Sequence, residues 1–137
     1  MIVVDSSAVN AVLLGEREAR QVLAVLEDHE SLSAPALLPY EVANVLATAQ
    51  RARRLDAREA VALLADFASW PWAFESHCTF ASLEAVAQLC GSRGLTAYDA
   101  SFLELAMRRN CPLLTFDVAL RKAAKDEGVE VLPGTLR

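Results

Sequence analysis

The chain opens on Ile2-Val3-Val4 and then, at once, Asp5. Three β-branched residues in a row, apolar at every position, read as a buried strand. A buried strand needs neighbours on both sides, and the remaining pattern supplies them in alternation with helices. Ser6 to Leu14 reads as a short helix stopped by Gly15, and Arg17 to His29 carries Ala19, Val22, Leu23, Val25 and Leu26 at helical spacing. Ser31 to Ala34 is a strand candidate before Pro35. A long helix begins near Pro39, a residue tolerated in a first helical turn. Its stripe is Val42, Val45, Leu46 and Ala49, and it runs into a cluster of arginines.

Asp56 caps a helix over Ala57 to Ser69, with Val61, Leu64 and Phe67 facing inward. Trp70-Pro71-Trp72 breaks the pattern and leaves both tryptophans outside regular elements. Thr79 to Cys90 is helical and ends at the glycines of positions 91 to 94. Thr96 opens a helix to about Arg109, with Phe102, Leu105 and Ala106 apolar. Pro112 to Phe116 is a second strand, Asp117 caps a helix to Glu127, Gly128 stops it, and Val129 to Leu132 is the last strand. Strands alternating with helices imply parallel pairing through right-handed crossovers. The expected architecture is therefore an α/β sandwich, a short central parallel sheet flanked by helices. At 137 residues it fits one domain, 1–137, without internal repeat or linker.

Composition removes several classes. The longest apolar runs, such as Ala60 to Ala65, fall far short of the roughly 20 residues a membrane helix needs. Met-Ile-Val-Val-Asp has neither the basic start nor the long apolar stretch of a secretory signal. Cys78, Cys90 and Cys111 are odd in number and lack Cys-x-x-Cys spacing, which points to reduced thiols and a cytoplasmic protein. His29 and His77 have no ligand-like partner nearby, so a zinc framework is not expected. A net charge of -5 counts against nucleic-acid binding in general, since phosphate affinity comes from Lys and Arg. That objection weakens if some carboxylates hold a cation, because bound metal reverses the local sign. Positive charge is also clustered, at Arg51, Arg53, Arg54 and Arg58 and again at Arg108 and Arg109; the plain reading of each cluster is a solvated helix end.

Four carboxylates stand out by position, and each has an ordinary explanation. Asp5 lies between strand and helix, where Asp is a common N-cap, and Asp117 is placed likewise. Asp99 lies three residues after Thr96, a capping-box spacing. Glu41 falls in a first turn, where an acid suits the helix dipole. Together they are less ordinary. In an open parallel sheet ligands bind outside the carboxyl ends of the strands. Asp5 and Asp117 each follow a strand, and the helices bearing Glu41 and Asp99 begin at that same edge. Two unit charges 4 Å apart repel by about 4 kcal/mol at an effective dielectric of 20, so such a cluster needs shared protons or a cation. Hard oxygen ligands suit Mg2+ or Mn2+, bound through carboxylates, waters and substrate phosphate. The chemistry that fits is metal-assisted phosphodiester hydrolysis. Asp5, Asp99 and Asp117 are the preferred ligands, and Glu41 either ligates or orients the attacking water.

These residues resemble a known family. Val3-Val4-Asp5-Ser6-Ser7 is similar to the opening of PIN-domain ribonucleases, especially VapC-type toxins of toxin–antitoxin pairs. Pro39-Tyr40-Glu41-Val42-Ala43-Asn44-Val45-Leu46 resembles their second-acid helix. Leu95-Thr96-Ala97-Tyr98-Asp99-Ala100 resembles the third-acid segment, and Leu113-Leu114-Thr115-Phe116-Asp117 the strand end with the fourth. The order holds along almost the whole chain. The resemblance implies a PIN-like three-layer fold and an Mg2+- or Mn2+-dependent endoribonuclease acting on RNA. It also implies a homodimer and a small cognate antitoxin whose tail covers the acidic pocket with a basic side chain. Ser6 and Thr115 resemble polar residues that support the acids, and Asn44 shares a helix face with Glu41. The chain departs from the family in having Phe116, where a small or polar residue often precedes the fourth acid.

Other readings stay open at this level. Trp70 and Trp72 either pack in the core or a loop, stack an RNA base, or anchor a partner. Leu13, Leu14, Val22, Leu26 and the long helix's stripe form an apolar groove for a partner helix if the core cannot bury them all. An aspartyl-phosphate enzyme would need paired acids near the first strand with a late lysine, or a second Asp two residues after the first. Ser6 and Ser7 occupy those positions. A housekeeping RNA-processing nuclease and a non-catalytic binding module of the same fold are the remaining alternatives.

Overall fold

Ile2, Val3 and Val4 expose none of their surface, so their strand, β1 (Ile2–Val4), has to be covered on both faces and paired on both edges. The computed structural model, which describes residues 1–135, puts it at the centre of a five-stranded sheet. The other strands are β2 (Leu32–Pro35), β3 (Trp72–Glu75), β4 (Leu113–Leu114) and β5 (Val131–Leu132), in the order β3-β2-β1-β4-β5 and parallel throughout. Helices α1 (Ser6–Leu13), α2 (Ala19–Glu27), α3 (Leu38–Arg51), α4 (Ala57–Ser69), α5 (Phe80–Arg93), α6 (Ala97–Arg109) and α7 (Val118–Asp126) flank it as the outer layers. The chain builds outward from β1 to β2 and β3, then returns to the other side of β1 for β4 and β5. That reversal creates a topological switch point between β1 and β4, where open parallel sheets form their binding crevice.

Local signals account for most element boundaries. Asp56 and Glu59 form a reciprocal capping box at α4, with Glu59 N–H donating to Asp56 Oδ1 at 2.8 Å and Asp56 N–H to Glu59 Oε2 at 2.6 Å. Gly94 ends α5 at φ +68°, a left-handed conformation that glycine adopts without a Cβ penalty. The core gathers around Phe102, Leu103, Leu113, Leu114 and Leu120, all fully buried. No helix among the described residues is long and apolar enough to cross a membrane, and Cys78, Cys90 and Cys111 are free.

Several expectations need correction. Trp72 is not outside regular structure: it starts β3, which pairs with β2 from Leu32↔Trp72 to Pro35↔Glu75. Pro71 looks like a breaker, yet it stands just before the strand, where its missing N–H is not needed. Trp72 and Phe74 share a face and stack at 5.1 Å, and the Trp72 indole N–H donates to the Phe67 carbonyl at 2.8 Å. Trp70 stacks on Trp72 at 5.9 Å, so both tryptophans serve packing. The second correction concerns α4. Val61 is 66% exposed and Leu64 sits at the exposed margin, whereas Ala60 and Phe67 are buried. Helix α4 is apolar nearly all round, so its stripe alone does not choose a face. The Phe67 ring, packed 5.1 Å from Trp72, does.

The expected groove is also only partly there. Leu13 and Val22 are buried, Leu14 and Leu26 pack against the core, and it is Leu23 and Val61 that face outward. Arg108 and Arg109 are not free helix-end cations, because both bond Glu75 Oε2, at 3.0 and 2.8 Å. Phe102→Ala should cost about 3–5 kcal/mol in urea unfolding, whereas Val61→Ala should stay within about 0.5 kcal/mol. A large loss at Val61 would restore the inward-facing assignment.

Candidate active site

Because Val4 pairs with Leu114, the chain leaves β1 and β4 side by side, and Asp5 and Thr115 emerge as neighbours at the switch point. The Asp5 N–H donates to the Leu114 carbonyl at 3.0 Å, fixing its backbone. Its extended backbone then caps α1, with the carboxylate accepting from the Ser7 N–H at 3.3 Å. The same oxygen, Oδ2, takes the Ser7 hydroxyl at 2.6 Å and the Thr115 hydroxyl at 2.8 Å. Each hydroxyl also accepts one backbone proton, Ser7 Oγ from Phe116 N–H at 3.0 Å and Thr115 Oγ1 from Asp117 N–H at 3.1 Å. Oδ2 is thereby saturated. Oδ1 has only the Ser6 hydroxyl, at a long 3.4 Å. Asp5 is 3% exposed, and burial pushes its carboxyl above the usual range despite the hydrogen bonds from Ser7 and Thr115 that oppose the rise.

Glu41, in the first turn of α3, is half-buried with its carboxyl pushed up to about 7. Burial is the largest cause, followed by the charges of Asp5 and then Asp99, with a hydrogen bond from Ser6 acting against them. Two acids that raise a third must lie near it, so Asp5, Glu41 and Asp99 share one locality. Glu41 Oε2 is buried and has no hydrogen-bond partner. A buried carboxylate oxygen without a partner is costly and calls for an explanation. Asp99 and Asp117 are partly committed to their own helices. Asp99 Oδ2 accepts the Thr96 hydroxyl at 2.7 Å, and Asp117 Oδ1 accepts the Leu120 N–H at 2.7 Å. Asp117 is exposed, and it is tied to Asp5 only through Thr115.

Among the described residues no three acidic, histidine or cysteine side chains already converge as a finished metal site. The available donors are nonetheless hard oxygens on one edge: Asp5 Oδ1, Glu41 Oε2, and the uncapped oxygens of Asp99 and Asp117. Such a set could hold a small divalent cation with waters completing its shell. The supporting residues divide. Thr115 is fully buried and bonded to Asp5, and the Ser6 hydroxyl reaches Asp5 Oδ1 at 3.4 Å, but Asn44 is exposed. Ser7, absent from the candidate residues of the sequence, holds the Asp5 carboxylate through its hydroxyl. The signal was present, since an Asp N-cap receives the N–H of the second or third helical residue, which brings Ser7 rather than Ser6 over the carboxylate.

A family profile described as PIN domain matches residues 2–126. The chain belongs to the PIN domain family. Ribonuclease VapC9 of Mycobacterium tuberculosis is 34% identical over 120 residues, which span 88% of each chain, and this places the PIN domain among VapC ribonucleases. The crystal structure of PAE2754 from Pyrobaculum aerophilum is similar with a TM-score of 0.71 and 26% identity, over 96% of this chain and 83% of that one. That of Mycobacterium tuberculosis VapC20, described as a Sarcin-Ricin loop cleaving toxin, shares the fold at TM-score 0.69 and 20% identity, over 90% and 95%.

Ser7→Ala should cost about 1–3 kcal/mol in denaturant unfolding, because it strips a hydrogen bond from Asp5 and leaves the Phe116 N–H of this PIN domain unpaired. Ser6→Ala should cost less, and equal losses would count against the network. Glu41 gives a pH test. Its raised folded-state pKa means that its contribution to stability is complete below about 4.5 and is lost as pH rises through about 7. In chelator, Tm should therefore fall between pH 5 and 8, and Glu41→Gln should flatten that fall. The opposite shift, at Glu75, whose carboxyl is lowered to about 2 by Arg109 and Arg108, acts only in more acid solution.

Proposed function

We propose that the chain is a divalent-metal-dependent endoribonuclease that cleaves RNA phosphodiester bonds as the toxin of a toxin–antitoxin pair. The observation that carries the metal site is the buried, unpartnered Glu41 Oε2 within reach of the Asp5 and Asp99 charges. The likeness to VapC9, a ribonuclease by name, supports the substrate class, and the likeness to VapC20 supports the toxin role.

Asp5, Asp99 and Asp117 would hold Mg2+ or Mn2+, with Glu41 beside them. When bound, the ion supplies charge neutralisation for the scissile phosphate and acidity to a water. Asp5 contributes a fixed carboxylate, since Ser7 and Thr115 hold Oδ2 and leave Oδ1 with only the long Ser6 contact. Glu41, with a pKa near working pH, suits removal of the proton from the attacking water, the condition that general-base efficiency favours. The half-buried Phe116 ring packs against the hydrophobic core, and the Phe116 N–H donates to the Ser7 hydroxyl at 3.0 Å. The partners of this reading are a small antitoxin, a second copy of the chain in a homodimer, and a cytoplasmic RNA.

Asp5→Asn should reduce manganese-dependent cleavage of structured RNA by more than the roughly 10- to 100-fold that loss of an outer supporting residue costs, with circular dichroism unchanged. Full activity in that variant would remove Asp5 from the mechanism. Millimolar Mg2+ or Mn2+ should raise Tm by mass action, and no rise would argue against metal binding. Expression without an antitoxin should arrest growth, and Asp99→Asn should relieve it; a nuclease of housekeeping type would give no arrest.

A further inference from the structure

An apolar groove of about 350 Å³ runs along one face of α6, beyond the carboxyl ends of β2 and β3. Its walls include Leu37, Leu83, Val86, Tyr98 and Leu105, and Arg108 stands at its far end. It adjoins the acid-bearing segments at two points. Leu37 precedes α3 and its carbonyl accepts the Glu41 N–H at 3.1 Å, while Tyr98 directly precedes Asp99. Tyr98 is 65% exposed, in the first turn of α6, although a tyrosine ring has ample apolar surface to bury.

We propose that this groove receives an unpaired nucleobase of the RNA next to the scissile phosphate, stacked on Tyr98. The inference deepens the nuclease reading and rests on it for the identity of the polymer. Charge decides what part of an RNA the groove can grip. The chain carries a net -5, and Arg108 is already engaged by Glu104 at 2.7 Å and Glu75 at 3.0 Å, so no free cation is offered there to a phosphate. Four acids at the neighbouring edge repel phosphates except where a cation sits. What remains attractive is a neutral, flat, apolar face, and every nucleobase has one. The groove has room for a ring, and the exposed Tyr98 supplies a platform. In a duplex the base faces are already stacked on their neighbours and must be flipped out to be reached, so the same groove selects unpaired RNA.

The test is binding measured in chelator, so that no strand is cut. A short unpaired oligoribonucleotide carrying 2-aminopurine, whose fluorescence is quenched on stacking, is titrated against the full chain, and then its duplex. Tyr98→Ala should weaken the unpaired strand by about tenfold and abolish the extra quenching, whereas Tyr98→Phe, which keeps the ring, should retain both. Because few phosphates are neutralised, the logarithmic salt slope should be about 1 or less. The proposal is overturned if the wild-type chain binds no oligonucleotide, or if Tyr98→Ala leaves affinity and quenching unchanged. It is equally overturned if the duplex binds as tightly, or if Tyr98→Ala changes the oligomeric mass, which would assign the groove to a second copy. The two readings fail separately: a chain that stacks RNA but never cuts it with manganese refutes the nuclease, while a nuclease indifferent to Tyr98→Ala refutes the groove.

Discussion

The site depends on one carboxylate oxygen. Asp5 Oδ2 accepts two hydroxyls and a backbone N–H, and both hydroxyls reach back to backbone protons of the segment after β4. Asp5 is therefore less a side chain on a loop than a knot joining the ends of two adjacent strands. Hydrogen bonds to a charged acceptor are stronger than neutral ones, and a buried network with every member satisfied rigidifies what it joins. Desolvation works the other way and raises the Asp5 carboxyl. The two effects leave an acid pinned by one oxygen and sparsely bonded on the other, the condition that a single-point ligand needs.

The other acids are held by weaker means. Asp99 and Asp117 are N-caps or first-turn residues by local geometry, each with one oxygen engaged by its own helix. Capping uses one lone-pair direction and leaves the second oxygen available, so cap and ligand are compatible roles rather than competing explanations. Glu41 differs. It caps nothing, its buried Oε2 bonds nothing, and two like charges lie nearby. A carboxylate in that setting is destabilising unless it is protonated or neutralised by a cation, and strain of this sort is tolerated mainly where function requires it.

Much of this was legible in the chain itself. Ile2-Val3-Val4 before Asp5 and Leu113-Leu114 before Asp117 announced two buried strands ending at one edge, and Asp56 and Thr96 announced helix starts. The misreadings have physical causes. Trp72 was hidden by Pro71, because a proline that ends one element and a proline that precedes the next look alike in one dimension. Val61 and Leu64 were turned the wrong way because α4 is apolar on most sides, and its orientation is settled by contact of Phe67 with a strand that had not been recognised. Ser7 was passed over for Ser6 since only the three-dimensional cap shows which hydroxyl lies over the carboxylate. Pairwise contacts between distant segments, such as Ser7 with Phe116, leave no periodic trace.

An acidic protein that acts on a polyanion faces a conflict, and the distribution of charge shows how this fold meets it. Its exposed arginines at positions 51, 53, 54 and 58 lie toward the far end of α3 and the start of α4, and the pair at 108 and 109 is consumed by Glu75. Long-range attraction of phosphate is thus weak by construction, and affinity has to come from contacts that net charge does not penalise. The proposed cation at the acids would provide one, acting only on the phosphate that reaches it. Apolar surface beside the acids provides the other. Both act at short range, so an RNA would be held most tightly when a phosphate and a free base present themselves together at the right separation. Discrimination then follows from scarcity of general attraction, and the -5 charge that first argued against a nucleic-acid substrate becomes part of what narrows the choice of one.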